Sequence, residues 1–434
     1  MKIERFNKLR RLRRASKNSL SLVLYILSLS LLSLAWQLQR THTRKWKPAE
    51  VPIAFWAWRR AAPAQEEVDK AISETAARAL FLRAGQLDAK NGMLRRIRPV
   101  AGELPRGIAL HLVYNGTRTL LANFARIDDE ALAAIVCNIY AEDAARAVSS
   151  GGNIAGVQLD FDIPTRLLPR YARLLRKVRA QLPRGTQLSI TGLPTWLDSA
   201  QINELLACVD FWIPQCYGAI IPDELQKVIP IASVQALPQI MKRVRQLGRP
   251  FYAGLPDYGY AILYAPDGKL IALRGDLDSS KTARHTQLEL IEQRAFKAET
   301  QDDDESEDAG ASEWRRVYRA TSDDVLDGLS MRAGDYLMLD APRVEWLRAL
   351  ARVAREEAGD NLLGICIFRL PDPADPTTLS LRQVAAALQD VPAADIARTT
   401  MTTDAATRAN GMHANGWRNY EQAQTSIKTD GDKR

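Results

Sequence analysis

Histidine and cysteine are scarce in this chain, four of each in 434 residues. Cys137, Cys208, Cys216 and Cys366 are too few and too scattered for a disulfide framework. Cys208 and Cys216 read as lying on one strand, where eight residues span about 26 Å, far beyond disulfide reach. No C-x-x-C occurs and the histidines are dispersed, so neither a zinc site nor any other metal or cofactor is expected. Positive charge is also missing from most of the chain. The net charge is +8, yet Met1 to Lys47 holds twelve Lys/Arg against Glu4 alone, which leaves the remaining residues at about −3. Capture of nucleic acid needs basic residues clustered on the folded face, and that function is set aside.

What the first 47 residues do hold is a basic flank, Lys2 to Lys17, followed by an uncharged stretch from Asn18 to Gln39. As a helix that stretch reaches about 33 Å, enough for the hydrocarbon layer of a membrane. The basic flank stays cytoplasmic, so the residues after Arg40 are expected on the far side. The adopted reading is a single-pass inner-membrane anchor over about 18–39, with the folded part in the periplasm. Its rival is a signal cleaved after Ala35, since Ser33-Leu34-Ala35 has the small-x-small pattern; retention is preferred because five serines make the segment only moderately apolar.

From Val51 on, short β-branched or aromatic runs alternate with helical stretches, the pattern of parallel βαβ construction. Eight such runs begin at Ile53–Trp58, Ala79–Leu82, Ile108–Val113, Ala155–Asp162, Gln187–Gly192, Val209–Tyr217, Phe251–Leu255 and Leu363–Phe368. They predict a TIM-type (β/α)8 barrel over 48–390. Leu167, Leu168, Tyr171, Leu174, Leu175, Val178 and Leu182 recur at helical spacing, with Arg166 to Arg179 largely on the opposite, solvated face. The barrel pattern is interrupted after its seventh strand by an insertion over 260–334. The insertion holds a hairpin at Pro266-Asp267-Gly268 and the acidic run 302–308, which lacks the glycine and spacing of an EF-hand. Structure resumes at Tyr336 and in a helix from Arg343 to Glu357, and 391–434 reads as a flexible tail.

The chemistry concentrates in Gly156-Val-Gln-Leu-Asp-Phe-Asp-Ile-Pro164. Alternation turns Val157, Leu159, Phe161 and Ile163 to one side and Gln158, Asp160 and Asp162 to the other. Two inward acids with Cα atoms about 6.7 Å apart are costly to bury together. Repulsion and desolvation should leave one protonated beside an ionised partner, as proton donation to a glycosidic oxygen requires. Two other readings compete: a hydrogen-bonded pair that merely closes the barrel, and the metal-binding DxD of a glycosyltransferase. The second lacks a nucleotide-binding loop. Trp56, Trp58, Tyr114, Trp196, Trp212 and Tyr258 fall near strand ends, where each either packs in the core or stacks on a sugar. Trp56 and Trp58 share a face at the mouth of the first strand. Asp257 and Arg369 read as rim contacts, and Tyr258 and Gly259 as shaping the turn.

Gly156 to Asp162 resembles the fourth-strand DGxDxDxE motif of family eighteen glycoside hydrolases, the chitinase-like barrels. Val209 to Tyr217, Gly254-Leu-Pro-Asp-Tyr-Gly259 and Gly364-Ile-Cys-Ile-Phe368 resemble their sixth, seventh and eighth strands, in order. A nearer resemblance, extending through Leu188-Ser-Ile-Thr-Gly-Leu-Pro-Thr-Trp196, is to a bacterial family catalogued as domain of unknown function 3142, without established activity. The resemblance implies Asp162 as catalytic acid, Asp160 as the acid orienting a substrate N-acetyl group, and Tyr217 as the assisting phenol. It also puts Phe368 where the family has a floor tryptophan; with Gln158, Gln215, Asp257, Trp56 and Trp58, read from their places at the strand ends, Phe368 makes up the expected substrate contacts. This sequence departs in three places: Asp162 replaces a Glu, Gln158 the first Asp, and Gly218 an Asp that often follows the tyrosine. The implied function is an envelope-associated hydrolase acting on a polysaccharide containing N-acetylhexosamine. The alternative, drawn from the same departures, is a non-catalytic glycan-binding or scaffold barrel.

Overall fold

The computed structural model describes residues 51–59, 61–90, 93–218, 224–225, 231–274, 277, 279–295, 313–357, 359–372 and 377–389. The expected anchor over 18–39, the acidic run 302–308 and the tail 391–434 lie outside the described residues. No helix among the described residues is long and apolar enough to cross a membrane.

Strand and helix alternate: β1 (Ile53–Ala57), α1 (Gln65–Thr75), β2 (Ala77–Lys90) with β3 (Met93–Ile97) folded back on it, and β4 (Ala109–Gly116). Then follow α2 (Arg118–Asn123), α3 (Asp129–Ser149), β5 (Asn153–Asp160), α4 (Leu168–Gln181), β6 (Gln187–Gly192) and α5 (Ile202–Leu206). The chain continues through β7 (Phe211–Pro214), α6 (Leu237–Gln246) and β8 (Phe251–Pro256). An excursion made of β9 (Tyr260–Tyr264), β10 (Leu270–Arg274), α7 (Ser279–Ala283), β11 (Leu288–Ala295), β12 (Glu313–Ala320), β13 (Asp324–Leu326), β14 (Leu329–Met331) and β15 (Tyr336–Asp340) comes next. The chain then returns through α8 (Val344–Glu357), β16 (Leu362–Phe368) and α9 (Leu381–Leu388).

Eight parallel strands pair in the order β1-β16-β8-β7-β6-β5-β4-β2, and β1 pairs with β2, so the ring closes. The architecture is the expected (β/α)8 barrel. Its lower interior is solid: Phe81 stacks on His111 with centroids 4.5 Å apart and meets Phe211, on the far side of the ring, at 6.1 Å. A contact between β2 and β7, which are not neighbours, crosses the barrel axis. Burying each of the two phenylalanines contributes about 1.5–3 kcal/mol. A ligand site therefore has room only at the ring's ends.

The outer face follows the period read from the sequence. Leu168, Tyr171, Leu174, Leu175 and Val178 of α4 are all fully buried. The arginines on its other side pair with neighbouring elements, Arg170 with Asp129 at 2.9 Å and Arg176 with Glu204 at 3.2 Å. The Arg176 pair is exposed and contributes at most about 1 kcal/mol, whereas the Arg170 pair is partly buried between helices.

Three details differ from the sequence reading. β2 runs to Lys90 instead of stopping near Leu82 and overhangs the ring as a hairpin with β3. Tyr336–Asp340 is not a return to the barrel: it is β15, inside a five-stranded antiparallel sheet ordered β10-β9-β15-β12-β11, so the excursion ends at Asp340. The hairpin at Pro266-Asp267-Gly268 is present between β9 and β10. Third, β7 is only four residues long, so Cys208 precedes it and Cys216 follows it; all four cysteines are free thiols. Where the chain leaves and re-enters the barrel, a Cβ on Gly259 would lie 1.6 Å from the Asp340 carbonyl oxygen, so only glycine lets the two crossings touch.

Candidate active site

A cleft of about 300 Å³ opens at the C-terminal ends of the strands. Its lining comes from β1 and the residue just beyond it (Trp56, Trp58), β2 (Gln86), β4 and its exit (Asn115, Gly116, Thr117), β5 (Asp160) with Asp162, and the exit of β7 (Gln215, Tyr217). Tyr258 and Phe368 complete the barrel's share, and Tyr260 and Leu273 of the inserted sheet close one side.

The acid pair owes its direction to its neighbours. Phe161 is fully buried, stacked on Tyr171 with centroids 5.8 Å apart and edge-on to Phe124 at 6.4 Å. Ile163 is also fully buried, and its carbonyl accepts the Trp196 indole N–H at 2.9 Å. With 161 and 163 anchored among the helices, Asp160 and Asp162 both line the cleft, each half-buried. Asp162 lies two residues beyond the end of β5. Asp160 accepts a 2.6 Å hydrogen bond from the Thr191 hydroxyl.

Burial pushes both carboxyls above the ordinary carboxylate range. Repulsion from Asp162 raises Asp160 further, against the Thr191 hydrogen bond and attraction from Arg83. For Asp162 a hydrogen bond with Gln215 opposes the rise. The two titrate as one system, and the proton they hold belongs to the pair.

Beside the acids stands an aromatic wall centred on Phe368. Trp56 meets it edge-on at 5.0 Å, Tyr258 lies at 5.5 Å, Trp58 at 5.9 Å and Tyr217 at 6.1 Å. The buried indole N–H of Trp56 has no hydrogen-bond acceptor among the described residues. The Arg83 guanidinium sits 4.8 Å over the Trp58 ring.

The structure thus brings together Asp160, Asp162, Tyr217, Gln215, Trp56, Trp58 and Phe368. It separates two others. Gln158 is fully buried, donates to Ser189 at 3.2 Å and lines no part of the cleft, because it lies one pleat below Asp160. Asp257, also fully buried, accepts the Arg369 backbone N–H at 2.6 Å and joins the end of β8 to the chain after β16. Their reading as substrate contacts is corrected: both are internal ties. Arg369 is likewise buried, its guanidinium 5.3 Å from the Tyr258 ring centroid and bonded to Thr377 at 2.8 Å, and it forms no rim. Of the other aromatics, Tyr114, Trp196 and Trp212 are core residues, while Tyr258 lines the cleft.

Sequence reasoning missed the wall formed by Gln86, Asn115, Thr117 and Arg118. Residues 83–90 alternate weakly and are poor in β-branched types, which hid the overhang of β2. Asn115 had a usable signal, since it closes a strand and precedes Thr117, whose hydroxyl oxygen caps α2 by accepting from Leu120 N–H at 3.1 Å.

Residues 119–291 match the family model described as a domain of unknown function, DUF3142. The match spans the acid pair, Gln215 and Tyr217. Among solved structures the chain is similar to a chitinase from Chromobacterium violaceum ATCC 12472, at 12% identity and a TM-score of 0.49, covering 79% of this chain and 99% of that one. It is also similar to the Bacillus cereus spore cortex-lytic enzyme SleL, at 12% identity and a TM-score of 0.47, with coverage of 78% and 74%. A third similarity is to a chitinase-like agglutinin from Robinia pseudoacacia, at 14% identity and a TM-score of 0.40, with coverage of 77% and 99%. No curated protein matches the sequence.

Proposed function

We propose that the cleft binds a polysaccharide containing N-acetylhexosamine and that the acid pair cleaves its glycosidic bond. The observation that carries this reading is the pair itself: two desolvated carboxyls with raised proton affinity, side by side in an open cleft with an aromatic wall. Trp56, Trp58 and Phe368 offer apolar faces of the kind on which sugar rings stack. Asp162, beyond the strand end, gives the shared proton to the leaving oxygen as the C–O bond breaks. The acetamido oxygen of the substrate closes on the anomeric carbon, Asp160 and Tyr217 hold the resulting oxazolinium-like ion, and water opens it. General acid catalysis of this kind contributes about 10²–10⁴-fold. The uncharged stretch 18–39 behind its basic flank supports placing this activity outside the cytoplasm, at the cell envelope.

A second reading, binding without turnover, draws on the short donor. An Asp at 162 reaches one methylene less far than a Glu, and Gln158 is sealed behind Ser189. One experiment separates the two. Full-length protein is incubated with N-acetylhexosamine oligosaccharides and products are followed by mass spectrometry. Asp162→Asn is expected to lower cleavage about a hundredfold or more while binding persists, and Trp56→Ala to weaken binding. Cleavage undiminished in Asp162→Asn would falsify the catalytic assignment, and binding with no cleavage by the wild type would establish the second reading.

A further inference from the structure

Gln86 and Asn115 stand in register on adjacent strands, and Asn115 is in turn in register with Asp160. The three side chains form one polar row at the barrel mouth, each step about 4.8 Å. Both amides are more than nine-tenths buried, Gln86 with 2% and Asn115 with 7% of its surface exposed, and both line the cleft.

The orientation of each amide follows from its partner. Arg98 donates to the Gln86 oxygen at 3.1 Å, and Arg83 donates to the Asn115 oxygen at 3.2 Å. A guanidinium has no acceptor, so in both cases it must be the amide oxygen that is engaged. The amide nitrogens are therefore the free ends, and neither has an acceptor among the described residues. Neither nitrogen is among the fully buried polar atoms that lack a partner, and both residues line the cleft. Two oriented donors thus sit side by side, each backed by an arginine, with Arg118 on the same wall.

From this arrangement we infer that the wall formed by Gln86 and Asn115 is a subsite for a carboxylate-bearing sugar, so that the glycan taken by the cleft is acidic. The inference rests on the cleft being a glycan site and deepens that reading. Paired N–H donors match the two oxygens of a carboxylate, and the arginines behind them favour negative charge. A neutral hydroxymethyl group at the same place gains neither advantage. The distance from Asp160 to this row puts the acidic sugar beside the scissile bond, on the side of β4 and β2.

The test uses the full-length protein and two small probes, methyl β-D-glucuronide and its neutral counterpart methyl β-D-glucoside, titrated by ligand-observed NMR. The glucuronide should bind at least tenfold more tightly. The near-isosteric Gln86→Glu and Asn115→Asp, which replace a donor by an oxygen, should each erase that preference. Thermal melting identifies any variant that fails to fold, and Asn115→Ser, which keeps a small donor, should retain part of the preference. Equal binding of the two probes, binding of neither, or a preference unchanged in both acidic variants overturns the inference. Each outcome is independent of the hydrolase reading. Cleavage lost in Asp162→Asn upholds hydrolysis even if the glucuronide preference is absent, and a clear preference stands even if Asp162→Asn cleaves normally.

Discussion

Asp162→Asn should make the folded protein more stable at neutral and alkaline pH while removing the proposed proton donor. The wild type holds two carboxyls in a desolvated setting, and each is pushed toward its neutral form. One unit of upward displacement corresponds to about 1.4 kcal/mol of preference for that form. Asparagine is a neutral near-isostere whose oxygen can still accept from Gln215, and it removes the repulsion that raises Asp160. A gain of about 2–3 kcal/mol at pH 8 is therefore expected, equivalent to roughly 3–4 °C in melting temperature for a fold of this size.

The sign of the pH dependence is fixed by the direction of the shift. A carboxyl whose folded proton affinity is raised costs nothing below its ordinary pKa of 3.8, where both states are protonated. The cost grows as pH rises from the ordinary value to the folded one, where the unfolded chain has released a proton that the native state still holds. Above that it is constant, since both states are ionised. The difference in melting temperature between variant and wild type should accordingly be near zero at pH 4 and reach a plateau by pH 8. Differential scanning fluorimetry over that range measures it directly. A difference that does not change with pH, or a less stable variant at pH 8, would refute the reasoning, since the acids would then be no liability to the fold.

Two further outcomes follow from the packing. Burial lowers His111 to about 4, and its Nδ1 has no hydrogen-bond partner among the described residues. Between pH 6.5 and 4 the unfolded chain binds a proton that the folded one refuses, so stability falls by about 3 kcal/mol on acidification through that window. His111→Phe should flatten this acid limb in urea denaturation, and an unchanged limb would count against it. Gly259→Ala should lose several kcal/mol or fail to fold, because the new Cβ would meet the Asp340 carbonyl at 1.6 Å; a melting temperature within 1 °C of wild type would contradict the crossing described at that point.

The period-two and period-3.6 patterns were enough to give the order of barrel strands and helices, because alternation and amphipathicity are local and each element carries its own copy. Gln187–Gly192 matches its strand end to end, while β5 starts and stops two residues before the expected run, at Asn153–Asp160, and leaves Asp162 beyond the strand. Aromatic convergence was partly legible: Trp56 and Trp58 share the mouth of β1, but their meeting with Phe368, Tyr217 and Tyr258 depends on ring closure. A polar side chain aimed inward, as Gln158 is, is a ligand contact only if it stands above the last packed layer, and depth along the barrel axis is not written in local sequence. Asp257 does lie at the mouth, just past β8, but its carboxylate is taken by the backbone N–H of Arg369, a partner 112 residues away.

Local sequence determined which residues alternate, where helices present an apolar face, and that two aspartates separated by one residue face the same way at a strand's end. Only the tertiary structure decided that Tyr336–Asp340 pairs with β9 and β12 instead of joining the ring, and that β2 carries Gln86 up beside Asn115. Pairing partners far apart in the chain compete on near-equal terms until the core is packed. The direction of an amide is settled later still, by which arginine reaches its oxygen.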